Sequence, residues 1–217
     1  MLIYLDANIV QYCADYYRST RGWIEQPLDA KLEIEIDALS EIIEMCSYAE
    51  TQDLDHHWDV AAPTHLLDEL ERGRPTEEQL DTRRDLLEAW RELGVERYKT
   101  PDAEIVARAQ RRLARLRLKH APDTLHLAEA VAMRAAWFPT YDKDILAKTR
   151  NKNSKPSEPG VIEGVTVGRP SELRARMTFD PVFGLLLEQS SPEQSTHSTP
   201  APSSDLPLFD QSKRPCP

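Results

Sequence analysis

Residues 1–10 read MLIYLDANIV, a short apolar run that ends in an acid and continues with helical spacing. The run at 2–5 has the composition of a strand buried on both faces, and residues 7–17 have that of a helix. Asp6 therefore falls at the carboxyl end of the first strand. A carboxylate in this position needs a partner for its charge, so the segment predicts a strand–helix unit and marks Asp6 as a candidate functional residue.

The pattern continues through the first 176 residues, where short apolar runs alternate with stretches of three- and four-residue spacing. Strands that are separated by helices form a parallel sheet with helices on both faces. We therefore predict an α/β protein with three layers and a central parallel sheet of four or five strands. The predicted strands are 2–5, 58–62, 95–98, 136–141 and 161–167, and the predicted helices after the first are 28–49, 64–73, 76–93, 101–116 and 122–134.

The composition of the chain changes near residue 177. The segment from there to residue 217 includes seven prolines and seven serines. Such a segment cannot bury enough apolar surface to offset the entropy of ordering it. The sequence thus predicts a folded domain at 1–176 and a disordered Pro/Ser-rich tail at 177–217.

The chain is acidic, with 27 basic against 37 acidic residues and a formal net charge of −10. This balance argues against non-specific coating of nucleic acid but leaves room for a local basic surface. The three cysteines are too few and too scattered for a disulfide framework or a zinc cluster. The sequence shows neither an apolar run of about 18 residues nor the pattern of a signal peptide, so we expect a cytoplasmic protein with no membrane association.

Four acids that are distant in sequence are expected at one edge of the sheet. In an open α/β sheet, ligands bind beyond the carboxyl ends of the strands. Asp6 and Asp142 each follow a predicted strand, Asp123 lies in the first turn of a helix, and Glu69 lies in the helix after the second strand. Taken singly, each acid has an alternative interpretation, because carboxylates near helix N-termini are stabilised by the helix dipole.

Together, the four acids predict a metal site. Neighbouring carboxylates repel one another and cannot all be ionised without a counter-charge. Oxygen ligands without sulfur favour Mg²⁺ or Mn²⁺. A divalent ion lowers the pKa of a bound water and stabilises developing negative charge, which is what phosphodiester hydrolysis needs. The pattern therefore predicts a metal-dependent nuclease, in which Asp144 supports the metal ligands from behind, binds a second metal, or caps the following turn.

Five segments carry a resemblance to a known family: IYLDANIV at 3–10, ELERG at 69–73, PDTLHLAEA at 122–130, TYDKDIL at 140–146 and GVTVGRPSEL at 164–173. With these segments in this order, residues 1–176 resemble a PIN-domain nuclease and are most similar to the VapC-type toxins of bacterial toxin–antitoxin pairs. Carried over by position, the resemblance implies metal-binding and catalytic roles for the acids, and a substrate-positioning role for the polar residues Asn8 and Thr140. The acids concerned are Asp6, Glu69, Asp123 and Asp142, with Asp144 as an extra metal-binding acid.

The resemblance also implies an activity and partners. Members of this family are Mg²⁺- or Mn²⁺-dependent ribonucleases, many of them toxins silenced by an antitoxin, and a homodimer is expected by analogy. The region at 18–55 is longer than in compact toxins, and the tail is additional. Three alternatives therefore stay open: a toxin, a structure-specific DNA or RNA nuclease without an antitoxin, and a non-catalytic binding module.

Basic residues near the acids are candidates for positioning the substrate. Arg108, Arg112, Arg115 and Lys119 follow spacings of four, three and four, which predicts one stripe on a helix, opposite a face formed by residues 105–116. The stripe leads toward Asp123 and could hold a nucleic-acid backbone. A solvated helix face is the alternative. Lys143, next to Asp142, is a comparable candidate for a phosphate contact.

Two further features have weaker interpretations. His126 follows Asp123 by three residues, and we expect it to be buried against the sheet, with a contact to the acids as the alternative. The tail sequence SDLPLFDQ at 204–211 resembles the peptides with which bacterial proteins dock on the replication sliding clamp. Docking would involve Leu206–Phe209, but a chance match is the favoured interpretation.

Overall fold

The computed structural model of the protein describes residues 1–20, 30–51, 58–63, 75–97, 101–150 and 158–177. The predicted helix at 64–73, which carries Glu69, lies outside these residues. The predicted tail also lies outside them, apart from Met177, which ends the last described helix. The domain boundary near residue 177 and the clamp-like peptide therefore stay predictions.

The described residues form one sheet of six strands: β1 (Leu2–Tyr4), β2 (Asp59–Ala62), β3 (Val95–Arg97), β4 (Trp137–Pro139), β5 (Gly160–Ile162) and β6 (Val165–Gly168). Their order is β3-β2-β1-β4-β6-β5, and every neighbouring pair is parallel except β5 with β6. The five parallel strands confirm the predicted α/β class. The sixth strand, β5, extends one edge of the sheet in the antiparallel direction.

Five of the described helices begin and end within a few residues of the predicted bounds, whereas the helices Lys143–Thr149 and Pro170–Met177 were not predicted. The helix Glu77–Glu92 begins with a capping box, in which Thr76 Oγ1 accepts from Gln79 N and the Gln79 side chain accepts from Thr76 N. No described helix is both long and apolar enough to cross a membrane. The helices are α1 (Ala7–Thr20), α2 (Ala30–Thr51), α3 (Glu77–Glu92), α4 (Ala103–Leu113), α5 (Ala121–Ala132), α6 (Lys143–Thr149) and α7 (Pro170–Met177), and a 3₁₀ turn (Ala114–Leu116) follows α4.

The sheet separates two buried apolar clusters. Ile3 belongs to a cluster with residues of α1, α2 and α3, whereas its neighbour Tyr4 belongs to a cluster with residues of α4 and α5. Successive residues of a strand face opposite sides of a sheet, so both faces of β1 are covered. This arrangement gives the three layers that the alternating pattern predicted. The free thiols of Cys13 and Cys46 are buried in the first cluster, as expected for small core residues.

A buried carboxylate ties α7 to α2. Oε2 of Glu35 accepts a hydrogen bond from Ser171 N, and Oε1 accepts one from Ser171 Oγ, each at 2.9 Å. Ser171 lies in the first turn of α7, where backbone N–H groups have no partner within the helix. Glu35 supplies that partner, and its negative charge suits the N-terminal end of the helix dipole.

The segment predicted as one strand at 161–167 is a hairpin, which corrects that prediction. Ile162 pairs with Val165, and the two residues between them, Glu163 and Gly164, have φ values of 50° and 87°. Two consecutive residues with positive φ form the tight turn that suits the twist of a hairpin. Glycine adopts this conformation easily, but glutamate does so at a cost, which is why the turn was not recognised.

Helix α4 is rotated relative to the prediction and ends earlier. Its buried residues are Val106, Ala109 and Leu113, whereas Ile105 is 45% exposed. After the 3₁₀ turn, Arg117 has a left-handed φ of 51°, so the chain leaves the helical path there. Lys119 therefore does not continue the predicted stripe on the helix, and this part of the prediction was wrong.

Candidate functional site

The candidate site lies where the order of the sheet reverses. From β1 the chain builds β2 and β3 on one side, and β4 then pairs with the other side of β1. This is the switch point at which open α/β sheets bind ligands. Asp6 follows β1 and Asp142 follows β4, so the topology brings them to the same end of neighbouring strands. A pocket of about 140 Å³ at this end is lined by residues that include Asp6, Asn8, Asp123 and His126.

Asp6 is 3% exposed, and each of its carboxylate oxygens has a polar contact. Oδ2 accepts a hydrogen bond of 2.6 Å from Thr140 Oγ1, and Oδ1 lies 3.1 Å from Nδ1 of His126. A buried carboxylate is costly unless it is hydrogen-bonded. These two contacts satisfy that need and fix the orientation of the carboxylate beside the pocket.

Thr140 joins two of the acids. Its hydroxyl donates to Asp6 and accepts a hydrogen bond of 3.0 Å from Asp142 N, while Asn8 Nδ2 lies 3.5 Å away. A hydroxyl has one proton and two acceptor positions, so these three contacts use all of them. Thr140 is 0% exposed. Its contacts are therefore with the residues around the acids, and any influence on a substrate would be indirect.

Asp142 caps helix α6. Its Oδ1 accepts from the backbone N–H groups of Asp144 at 2.7 Å and Ile145 at 2.9 Å. This is the N-cap geometry that the alternative interpretation of each acid anticipated. The cap employs one of the two carboxylate oxygens and places the side chain beside the switch point, so capping and a role in the site are compatible.

Asp123 carries the clearest electrostatic sign of crowding among these acids. Its pKa is raised to about 6, mainly by burial and also by the negative charges of Asp142 and Asp6, while His120 and His126 oppose the shift. Among the described residues, no hydrogen-bond partner reaches its buried Oδ2 atom. The three acids are therefore close enough to repel one another, and Asp123 offers an acceptor that the described part of the chain leaves unused.

Asp144 is turned toward a neighbouring loop. Its Oδ2 accepts a hydrogen bond of 3.0 Å from the backbone N–H of Lys119, which lies just before α5. The sequence left open whether Asp144 supports the metal ligands, binds a second metal or caps a turn. The structure shows a contact between the first turn of α6 and the loop that leads to Asp123.

The donor atoms fit a hard cation, although the described residues do not form a finished metal site. Within the described ranges, no three His, Cys, Asp or Glu side chains are grouped as a metal site. Glu69, the fourth predicted acid, lies outside those ranges. The buried atoms Asp123 Oδ2 and Asn8 Oδ1, which have no partner in the described part of the chain, are oxygen acceptors of the kind that Mg²⁺ and Mn²⁺ prefer. The metal-binding roles of the acids stay predictions.

Two of the predicted substrate-positioning arginines are paired within the protein. Arg112 Nε and Arg115 Nη2 each lie 3.0 Å from a carboxylate oxygen of Glu163, in the β5–β6 turn. Both arginine side chains are more than half exposed, so they remain accessible from solvent. Lys143 is exposed at the first position of α6. A role for these residues in binding nucleic acid stays a prediction.

His126 takes a larger part in the site than its position in the sequence indicated. His126 is buried, as expected, but it also contacts Asp6, which was only the alternative interpretation. The usable signal was its spacing from Asp123, because residues three apart share a helix face. On the same helix, the buried Glu129 accepts a hydrogen bond of 2.7 Å from the Tyr4 hydroxyl, a contact that no sequence pattern indicated.

Comparisons with known proteins leave the family open. No family model and no curated protein matches the chain. A solved structure described as VapBC2 from Rickettsia felis bound to a DNA fragment from their promoter is similar, with a TM-score of 0.43 and 14% identity. The match covers 67% of this chain and 91% of that one. Similarity at this level carries no argument about function, so the membership in the PIN-domain family stays a prediction.

Proposed function

We propose that the protein is a metal-dependent nuclease that hydrolyses phosphodiester bonds in RNA. The observation that supports this proposal is the convergence of three acids at the switch point of the sheet, where Asp6 and Asp142 both raise the pKa of Asp123. Carboxylates in such an arrangement need a cation to be ionised together. Mg²⁺ or Mn²⁺ would be held by Asp6, Asp123 and Asp142, together with Glu69.

The chemistry follows from what each part of the site can do. A bound divalent ion supplies a water of lowered pKa and stabilises negative charge on a phosphodiester. Thr140 and His126 keep the Asp6 carboxylate fixed, and the cap on α6 keeps Asp142 in place. Preorganised charges of this kind need no rearrangement when the reaction begins.

The size of the pocket favours a polymeric substrate. A volume of about 140 Å³ is small beside the ~300–1,000 Å³ of pockets that enclose small molecules. It can admit an ion and a phosphate group, while the rest of the substrate stays outside. This geometry suits an extended nucleic-acid strand that presents its backbone to the acids.

The biological role is a further part of the proposal. The sequence resemblance to VapC-type toxins supports a cytoplasmic endoribonuclease that acts as a homodimer and is inhibited by an antitoxin. The alternative is a structure-specific DNA or RNA nuclease that works without an antitoxin. RNA and DNA substrates of matched sequence and shape distinguish the two activities, and a small DNA-binding protein encoded immediately upstream would identify the toxin role.

The proposal is tested by cleavage of a labelled single-stranded RNA with Mn²⁺, using the full chain and two variants. Asp6→Asn and Asp123→Asn are expected to abolish cleavage and keep the fold, because each removes one of several mutually repelling charges. Asp37→Asn is the matched control, since Asp37 is exposed on α2, and it should cleave at the wild-type rate.

Two results would contradict the proposal. One is cleavage by Asp123→Asn at the wild-type rate, and the other is wild-type cleavage that persists after chelation of the metal. Thermal unfolding provides an independent readout, because Mn²⁺ that binds only the folded protein at 100 times its Kd stabilises it by about 2.7 kcal/mol. A wild-type protein that neither cleaves nor gains stability with Mn²⁺ would support the non-catalytic alternative.

A further inference from the structure

We propose that Asp144 is a positioning residue that sets the separation between Asp123 and Asp142, and that it does not act through its charge. The proposal rests on the proposed function, because the acids that Asp144 positions are those assigned to the metal. It differs from the role expected by resemblance, in which this acid is itself a ligand.

The first support is that Asp144 connects two elements of the site. Its backbone N–H donates to Oδ1 of Asp142 at 2.7 Å, and its Oδ2 accepts from the backbone N–H of Lys119 at 3.0 Å. One residue is thus bonded both to the acid that caps α6 and to the loop before α5.

The second support is that, among the described residues, no side chain caps the start of α5. His120, the residue before the helix, makes no side-chain capping hydrogen bond, and Pro122 in the first turn has no N–H to donate. The preceding Arg117 has a left-handed φ of 51°, a conformation that non-glycine residues adopt at a cost. The hydrogen bond from Lys119 N to Asp144 Oδ2 anchors this loop four residues before Asp123.

The third support comes from the chemistry of the acceptor. A backbone N–H needs an acceptor oxygen at the right place, and either a carboxylate or a side-chain amide provides one. A carboxylate that binds a metal ion needs more than an oxygen atom, because its negative charge contributes to holding the cation. Asparagine at position 144 therefore separates the two roles, since it keeps the oxygen and removes the charge.

The experiment compares Asp144→Asn with Asp144→Ala in the full chain by calorimetric titration with Mn²⁺. We expect Asp144→Asn to bind Mn²⁺ within about twofold of the wild type. We expect Asp144→Ala to bind roughly tenfold more weakly, the range found when a partner of a metal ligand is lost. Equal loss in both variants would assign the role to the charge, and wild-type affinity in Asp144→Ala would remove the role altogether. Either result overturns the proposal.

Amide hydrogen exchange at Lys119 is the second readout, and it needs no metal. The Lys119 amide should be protected in the wild type and in Asp144→Asn, and it should exchange faster in Asp144→Ala. If the wild type binds no Mn²⁺, the proposed function fails, while exchange at Lys119 still tests the positioning contact. Unchanged protection in Asp144→Ala would contradict that contact directly.

Discussion

Nδ1 of His126 lies 3.1 Å from Oδ1 of Asp6, and both side chains are almost completely buried. The two residues are 120 positions apart in the sequence, and the contact joins the middle of α5 to the segment that follows β1. An Nδ1–H group that donates to the carboxylate would stabilise its ionised form without adding a full positive charge. His126 therefore belongs to the support of the site, even though it is not one of the acids.

Replacing His126 tests this support. In His126→Leu, Asp6 loses a donor while staying buried, and we expect a loss of about 1–3 kcal/mol in the free energy of unfolding. In His126→Asn, the side-chain amide lies near the position of Nδ1 and should restore part of that loss. Urea denaturation of the two variants measures the difference, and equal stability of His126→Leu and the wild type would show that the contact contributes nothing.

The hydroxyl of Thr140 provides a second prediction. Thr140→Val has nearly the same shape but removes the donor to Asp6 and the acceptor for Asp142 N. We expect it to lower the free energy of unfolding by about 1–3 kcal/mol and to weaken Mn²⁺ binding roughly tenfold. Thr140→Ser keeps the hydroxyl and is the control. If Thr140→Ser loses as much Mn²⁺ affinity as Thr140→Val, the lost methyl group and not the hydroxyl is responsible.

The pKa of Asp123 predicts how stability changes with pH. Because folding raises this pKa from 3.8 to about 6, the folded state binds the proton more tightly than the unfolded state. Its contribution to stability is therefore present below about pH 4 and is lost as the pH rises through about 6. In EDTA above that pH, Asp123→Asn should be more stable than the wild type.

The size of this effect is limited by solvent. Asp123 is only partly buried, so we expect a gain of about 1 kcal/mol for Asp123→Asn, less than the full shift would give. Melting curves of both proteins between about pH 4 and about pH 8 measure it. A difference that does not shrink toward acidic pH would contradict the assigned cause.

The ion pairs of Glu163 give a prediction about nucleic-acid binding. Glu163→Gln should leave Arg112 and Arg115 free to contact phosphates, so single-stranded RNA should bind more tightly and with a steeper salt dependence. The stability should fall by less than about 1 kcal/mol, because both arginines are exposed. Fluorescence anisotropy in EDTA measures binding without cleavage. If Glu163→Gln and an Arg112→Ala/Arg115→Ala double variant both bind RNA with wild-type affinity, these two arginines do not contact the RNA.

The fold was predictable where the spacing of apolar residues alone decides between strand and helix. The apolar run at 2–5 and the helix that follows it gave the first strand–helix unit, and the repetition of such units gave the parallel sheet. The hairpin at Glu163 was missed because valines at 161, 165 and 167 suggest a continuous strand, and glutamate is not a typical residue for its turn. Ile105 and Val106 are adjacent apolar residues, and their composition alone does not decide which of them faces the core.

The site was predictable only where the topology of the strands decides the position of a residue. Acids that follow parallel strands share an edge of the sheet, so the approach of Asp6 to Asp142 follows from topology. The hydrogen bond between Thr140 and Asp6 and the contact of Asp144 with Lys119 join residues that are 134 and 25 positions apart in the sequence. Such contacts are decided by side-chain orientation in three dimensions, which no local pattern in the sequence records.

The contact of Glu35 with Ser171 has a practical consequence for anyone who shortens this protein. A fragment that stops before residue 170 would keep the buried carboxylate of Glu35 and discard two of its donors, Ser171 N and Ser171 Oγ. Loss of such partners from a buried group lowers stability by about 1–3 kcal/mol. Truncations made for crystallisation or assay should therefore extend at least through Met177, the end of α7.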